Sequence, residues 1–265
     1  MKNSLLAAAL STLLFSGVSF AEEKKFYSKE HSYKASAELG FLYKTGNSKS
    51  GDIKTGFDFE HEYARWRSEL KANILYKKTE VEETDDQGNV TDEFETSDQK
   101  FTLDAKTNYA LEPDGKNYMY GSFGYVDDRF SSFDYQATVS AGWGKKWYET
   151  ETTSFFADIG PGFKRDRIMA DGDVESENDD SFIVQAQGLY TQQINEHVQF
   201  KQLVRAIQTL ESGKNSVYRA ESSLTTKLIE TLQVKISFIV DHNTEVSEGD
   251  KKTDTQTAVT LVYSF

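Results

Sequence analysis

Cysteine is absent from this chain and proline occurs only twice, at Pro113 and Pro161. The first absence closes off disulfide stapling, thiolate catalysis and cysteine-based metal sites. The second leaves no Pro/Gly/Ser-rich linker after the first 21 residues, so residues 22–265 are expected to form a single domain. Basic residues are also short: 30 Lys and Arg stand against 43 Asp and Glu, a formal net charge of −13. That sign is wrong for nonspecific binding of nucleic acid or anionic lipid, so no nucleic-acid partner is expected. Past Ala21 there is no apolar run near the ~20 residues that a membrane-crossing helix needs. Aromatic residues, by contrast, are plentiful. Eighteen Phe, fourteen Tyr and three Trp exclude a disordered acidic segment.

The first 21 residues carry Lys2, an apolar stretch and Ser19-Phe20-Ala21, the pattern of a secretory signal peptide. The mature chain is therefore expected at 22–265, with a charge of −14. From Tyr33 onward the sequence alternates at period two, the mark of strands with unlike faces. Tyr33, Ala35, Ala37, Leu39, Phe41 and Tyr43 share one face, with Lys34, Ser36, Glu38, Gly40, Leu42 and Lys44 on the other. Twelve such runs reach the C-terminus, most of them near the 9–11 residues of a tilted strand crossing a bilayer. The odd-numbered connections, near 45–50, 78–97, 126–134, 165–180, 208–214 and 241–254, include every long one. The even-numbered ones are turns of a few residues. Alternation, parity and an even count predict an all-β fold: a transmembrane antiparallel outer-membrane β-barrel of about 12 strands, both ends on the short-turn side, in a Gram-negative cell. Outer-membrane lipid and lipopolysaccharide are the expected surroundings. The last strand closes on Tyr263 and Phe265, read as the membrane-insertion signal that the outer-membrane assembly machinery recognises.

Thr45-Gly46-Asn47-Ser48 forms the first long-side turn, after Tyr43 and Lys44 and before Lys49 and Ser50. With the leader and the amphipathic strands, this segment resembles the salt-stress-induced outer-membrane proteins, the YdiY-like family. The resemblance implies an outer-membrane location and a link to salt stress, and it implies no catalytic residues.

Two constellations carry candidate chemistry. The first is acidic: Glu80, Glu82, Glu83, Asp85, Asp86, Asp92, Glu93 and Glu95, and a second run holding six carboxylates in residues 171–180. Asp171, Asp173, Glu175 and Glu177 alternate in a way that suits a hard divalent cation. Residue 182 is Phe and the sixth position lacks Gly, so this is no EF-hand, and a solvated acidic loop is the plainer reading. Divalent cations there would bridge to lipopolysaccharide phosphates. The second constellation is the set of inward charges: Lys34, Glu38, Asp58, Arg67, Glu69, Lys71, Asp104, Lys106, Lys201, Arg205, Arg219 and Glu221, with Lys44, Asp52, Lys54, Glu60, Lys227 and Lys235. Mixed signs on neighbouring strands predict cross-strand pairs and a narrow or plugged lumen.

Of the four histidines, His31, His61 and His197 fall near the short-turn rim, and His242 sits beside Asp241 at the other. Nothing fixes a nucleophile, so no enzyme and no cofactor is expected. Tyr43, Tyr63, Trp66, Tyr76, Tyr109, Trp147, Tyr190 and Phe265 read as interface girdles. Gly160-Pro161-Gly162 interrupts a strand and predicts a bulge or bend. The function expected is a structural or salt/envelope-stress role with a narrow lumen. The alternative is a cation-preferring, porin-like channel.

Overall fold

In a computed structural model, residues 28–44, 50–84, 90–129, 131–169, 176–246 and 252–265 are described. The leader, the Thr45–Ser48 turn and Asp171, Asp173 and Glu175 lie outside them. Twelve strands follow in order: β1 (Ser28–Lys44), β2 (Ser50–Ala64), β3 (Trp66–Thr84), β4 (Val90–Ala110), β5 (Asn117–Asp128), β6 (Phe133–Glu149), β7 (Thr153–Ile168), β8 (Glu177–Gln193), β9 (Val198–Thr209), β10 (Val217–Lys227), β11 (Leu232–Asn243) and β12 (Thr253–Ser264). Each pairs antiparallel with its sequence neighbours, and β1 meets β12 to close the ring. The protein is a closed, antiparallel, twelve-stranded β-barrel.

Period two decides what each wall residue meets. On β1, Leu39 and Phe41 are exposed on the outside, while Ser36, Glu38 and Gly40, which alternate with the outward positions, are buried inside. The same inversion runs round the ring, where the exposed large side chains include Ile53, Ile74, Phe123, Val139, Val204, Ile236, Phe238 and Val259 and the buried ones are mostly polar. An exterior of this kind is costly in water and favourable in hydrocarbon. The apolar zone ends in charge at the long-loop side, where Arg165 and Asp180 are paired on the outer face two residues beyond Phe163 and Phe182. Towards the short turns it ends in rings, among them Tyr63, Trp66, Trp147 and Tyr148. The apolar and aromatic side chains of β3 run from Trp66 to Tyr76, about the span of a tilted strand in a bilayer.

The connections differ from the sequence reading. Residues 78–97 are mostly strand: β3 continues to Thr84 and β4 begins at Val90, with Thr79 opposite Glu95 and Glu82 opposite Asp92. Likewise β7 reaches Ile168 and β8 starts at Glu177, so the connection is much shorter than 165–180. The cause is that hairpin arms beyond the bilayer need no apolar face. Alternation vanishes from the sequence there, although the ladder continues.

Two departures from a uniform wall matter. At Gly160-Pro161-Gly162 the ladder with β8 is continuous, but the ladder with β6 is interrupted between Ser140–Gly162 and Trp143–Ile159. The two strands press together there. A Cβ on Gly160 would sit 2.1 Å from the Ala141 carbonyl oxygen, and one on Gly142 would sit 2.2 Å from that of Ile159. The second departure is the closing seam. Among the described residues β1 and β12 share four register pairs, Ser36–Ser264 to Leu39–Leu261, with the Phe265 amide donating to the Ala35 carbonyl at 2.9 Å. Every other seam has ten or more pairs.

Because backbone atoms cannot yield to a new Cβ as a flexible side chain can, Gly160→Val is expected to cost about 3 kcal/mol or more. The check is the fraction of refolded protein showing heat-modifiable gel mobility, which should fall sharply. Ser140→Ala beside it should leave that fraction unchanged.

Candidate functional site

The inner wall holds the chemistry. Cross-strand register sets the charges in rows: Lys34 faces Glu60, Asp58 faces Lys71, Glu69 faces Lys106, Lys71 faces Asp104, and Arg219 faces both Arg205 and Asp241. Period two brings each of them inside, and the barrel then brings together residues that are remote in sequence.

Three contacts cross the bore. The Arg205 guanidinium on β9 donates to Asp104 on β4 at 3.0 Å, and also to the Gln187 side-chain carbonyl at 3.0 Å. Lys106 on β4 meets Asp158 on β7 at 2.5 Å, and the Tyr118 hydroxyl donates to the same carboxylate at 3.2 Å. The Gln185 amide on β8 donates to the Ser122 hydroxyl on β5 at 3.4 Å. In a ring of twelve, β4 and β9 are nearly opposite. A circular barrel of that count has a backbone diameter of roughly 24 Å, more than an Arg and an Asp can bridge. The cross-section is therefore oblong, and these side chains fill its short axis. The Tyr118 ring lies over Gly144, where a Cβ would come within 2.2 Å of it, so the glycine makes room for the phenol that braces Asp158.

Around this bridge lie further pairs. Arg67 reaches Glu60 at 3.0 Å and Glu69 at 3.1 Å, and Lys71 reaches Glu69 at 3.6 Å. Lys235 approaches Glu38 at 3.5 Å, and the Thr260 hydroxyl lies 3.4 Å from the same carboxylate. Arg219 grips Asp241 at 2.8 Å and Glu221 at 3.6 Å. Nearer the long-loop end, Lys100 pairs with Asp128 at 2.9 Å and Lys164 with Asp166. Lys201 projects inward from β9. Both carboxylate oxygens of Asp58 are buried without a hydrogen-bond partner among the described residues. Cross-bore partners such as Arg205 and Asp104, 101 residues apart, are not marked in the sequence. The glycine at 144 is a signal only once Tyr118 is known to stand beside it.

The rims account for the remaining candidates. Glu177 opens β8, exposed and opposite Ile168. Among the described residues no group of three or more His, Asp or Glu is placed to hold a metal. Lys214 joins Asp179 at 3.0 Å and Glu211 at 2.8 Å. The hydrogen bond from Lys214 holds the Glu211 carboxyl below its usual range, and those from Arg165 do the same for Asp180. His242 Nδ1 lies 2.7 Å from the Thr253 hydroxyl, and Asp241 is occupied by Arg219. Tyr263 and Phe265 are exposed on the outer wall, ring centroids 4.9 Å apart and edge to face.

Residues 37–265 match the family described as "Protein of unknown function, DUF481". The chain is 22% identical over 234 residues to the "Uncharacterized protein YdiY" of Escherichia coli (strain K12), covering 88% of this chain and 83% of that one. Among solved structures it is similar to the NanC porin, at TM-score 0.48 and 12% identity over 88% of this chain and 99% of that chain. It is also similar to an outer membrane channel from Pseudomonas putida F1, at TM-score 0.48 and 10% identity over 92% and 100%.

Removing one partner of a desolvated pair strands the other. Asp158→Leu leaves Lys106 and Tyr118 facing each other without an acceptor, and it should lower the unfolding free energy by about 3 kcal/mol or more. Lys106→Met alone should cost less, because Tyr118 still donates to Asp158. Urea unfolding of the detergent-folded barrel, followed by tryptophan fluorescence, measures both.

Proposed function

We propose that this chain, which belongs to the DUF481 family, is a barrel of the Gram-negative outer membrane with a structural, salt- or envelope-stress-related role and a lumen closed by its own ion pairs. The observation that carries this reading is the Arg205–Asp104 bridge between nearly opposite strands, with Lys106–Asp158–Tyr118 beside it. A wide passage for solutes would have to part these groups. The apolar outer wall and the charged hairpin arms support the membrane setting. The exposed Tyr263–Phe265 pair on the last strand supports recognition by the outer-membrane assembly machinery. Divalent cations at the acidic long-loop rim, between Asp171, Asp173, Glu175, Glu177 and lipopolysaccharide phosphates, belong to the same proposal.

Salt enters through the bridge itself. Arg205 and Asp104 retain about a fifth of their side-chain exposure, so mobile ions screen their attraction, whereas the deeply buried Lys164–Asp166 pair is shielded from them. Rising ionic strength should weaken the bridge first.

Planar-bilayer recording tests the reading. The wild-type barrel should give rare or very small steps at low salt, and Asp104→Ala/Arg205→Ala should give larger and more frequent ones. Wild-type steps of full porin size, cation-selective and losing selectivity when Asp171, Asp173, Glu175 and Glu177 are neutralised, would instead establish the channel reading.

A further inference from the structure

The short-turn rim carries an arrangement that the lumen does not use. On the outer faces of β1 and β2, His61 lies directly across from Tyr33, and His31 stacks on Tyr63 with ring centroids 4.0 Å apart and planes within 5°. Tyr33 and His61 stack in the same manner at 4.6 Å and 12°. Tyr33 and His61 are register partners, and His31 stacks on Tyr63 just beyond them, where the register of β1 on β2 shifts, so the two imidazoles come side by side. His31 Nδ1 and His61 Nε2 are 3.0 Å apart, with the ring planes within 7° and the centroids 5.3 Å apart. The rings therefore meet edge to edge.

We propose that His31 and His61 form a two-imidazole site for a divalent first-row transition-metal ion, with Cu2+ the tightest-binding member of the series. The tyrosine stacks hold both rings before any ion arrives, which reduces the ordering cost of binding. Two metal–nitrogen bonds of ~2.0–2.1 Å at a right angle place their nitrogens roughly 2.9 Å apart, close to the spacing observed. In the empty pair the two nitrogens point straight at each other, so each ring must turn by roughly 45° within its own plane to aim its lone pair at a shared ion, a movement that leaves it parallel to its tyrosine. In the empty pair, one of the two facing nitrogens carries a proton and the other accepts it. Binding asks the donor ring to move that proton to its far nitrogen, so no net proton is lost from the pair. Imidazole nitrogen selects copper, nickel and zinc over calcium and magnesium, and the Irving–Williams order sets Cu2+ above the other divalent ions. Water or lipid-headgroup oxygen completes the coordination, because the pair stands on the outer face at the edge of the apolar zone.

The probe is Cu2+ itself, titrated into the detergent-folded full barrel and followed by electron paramagnetic resonance. The first equivalent should show two equatorial imidazole nitrogens. Its affinity should fall at least tenfold in His31→Gln and in His61→Gln, each checked for heat-modifiable mobility, and should be unchanged in His197→Gln at the same rim. A hundredfold excess of Ca2+ should leave the signal in place. A one-nitrogen spectrum, equal affinity in the His31→Gln barrel, or displacement by Ca2+ would each overturn the proposal. If either substitution prevents folding, diethyl pyrocarbonate labelling of the wild type decides. Cu2+ should protect His31 and His61 and leave His197 reactive, and equal reactivity at all three would refute the site.

Discussion

In hydrocarbon a backbone amide or carbonyl has no water to turn to, and each unpaired group costs several kcal/mol. A wall made of strands can meet that constraint only by joining its last edge to its first. Twelve antiparallel strands with β1 beside β12 do so, and the other features follow. Antiparallel neighbours joined in sequence order give connections that alternate between two rims. Period two then assigns every residue to lipid or lumen, and a lumen sealed from lipid becomes the one place where charge can be kept within the bilayer thickness.

Charge kept there must be matched. With both signs on facing walls, the least costly arrangement is for carboxylates and cations to neutralise one another across the bore. Arg205 with Asp104 does this between nearly opposite walls, which makes the section oblong, and Lys106 with Asp158 ties strands a quarter of the ring apart. The glycines of β6 and β7 serve the same end. Gly142 and Gly160 let two strands bend against each other, and Gly144 yields its space to Tyr118.

Much of this was legible in the residues. Strand number, antiparallel order and the two unlike rims follow from alternation at Tyr33–Lys44 and its eleven counterparts, because the pattern is imposed locally by lipid on one side and polar groups on the other. The reading failed where lipid stops imposing it. Glu80–Glu95 looked like a loop, yet the strands run to Thr84 and from Val90, since a hairpin arm in water is indifferent to which face is polar. The cross-bore partners were not legible either. Arg205 and Asp104 lie 101 residues apart, and which of several inward carboxylates meets a given cation depends on barrel shape. The His31–His61 pair was equally hidden, because it requires the register of β1 on β2.

The seam between β1 and β12, with four register pairs among the described residues, gives the ring a preferred place to part. A force pulling radially on the wall would rupture there before any of the eleven longer seams, since fewer hydrogen bonds share the load. The same holds in reverse during biogenesis. A chain threaded into the membrane can form eleven hairpin ladders in sequence order and leave the shortest join until last, so that a mis-set closure can be undone and tried again without melting a neighbouring strand.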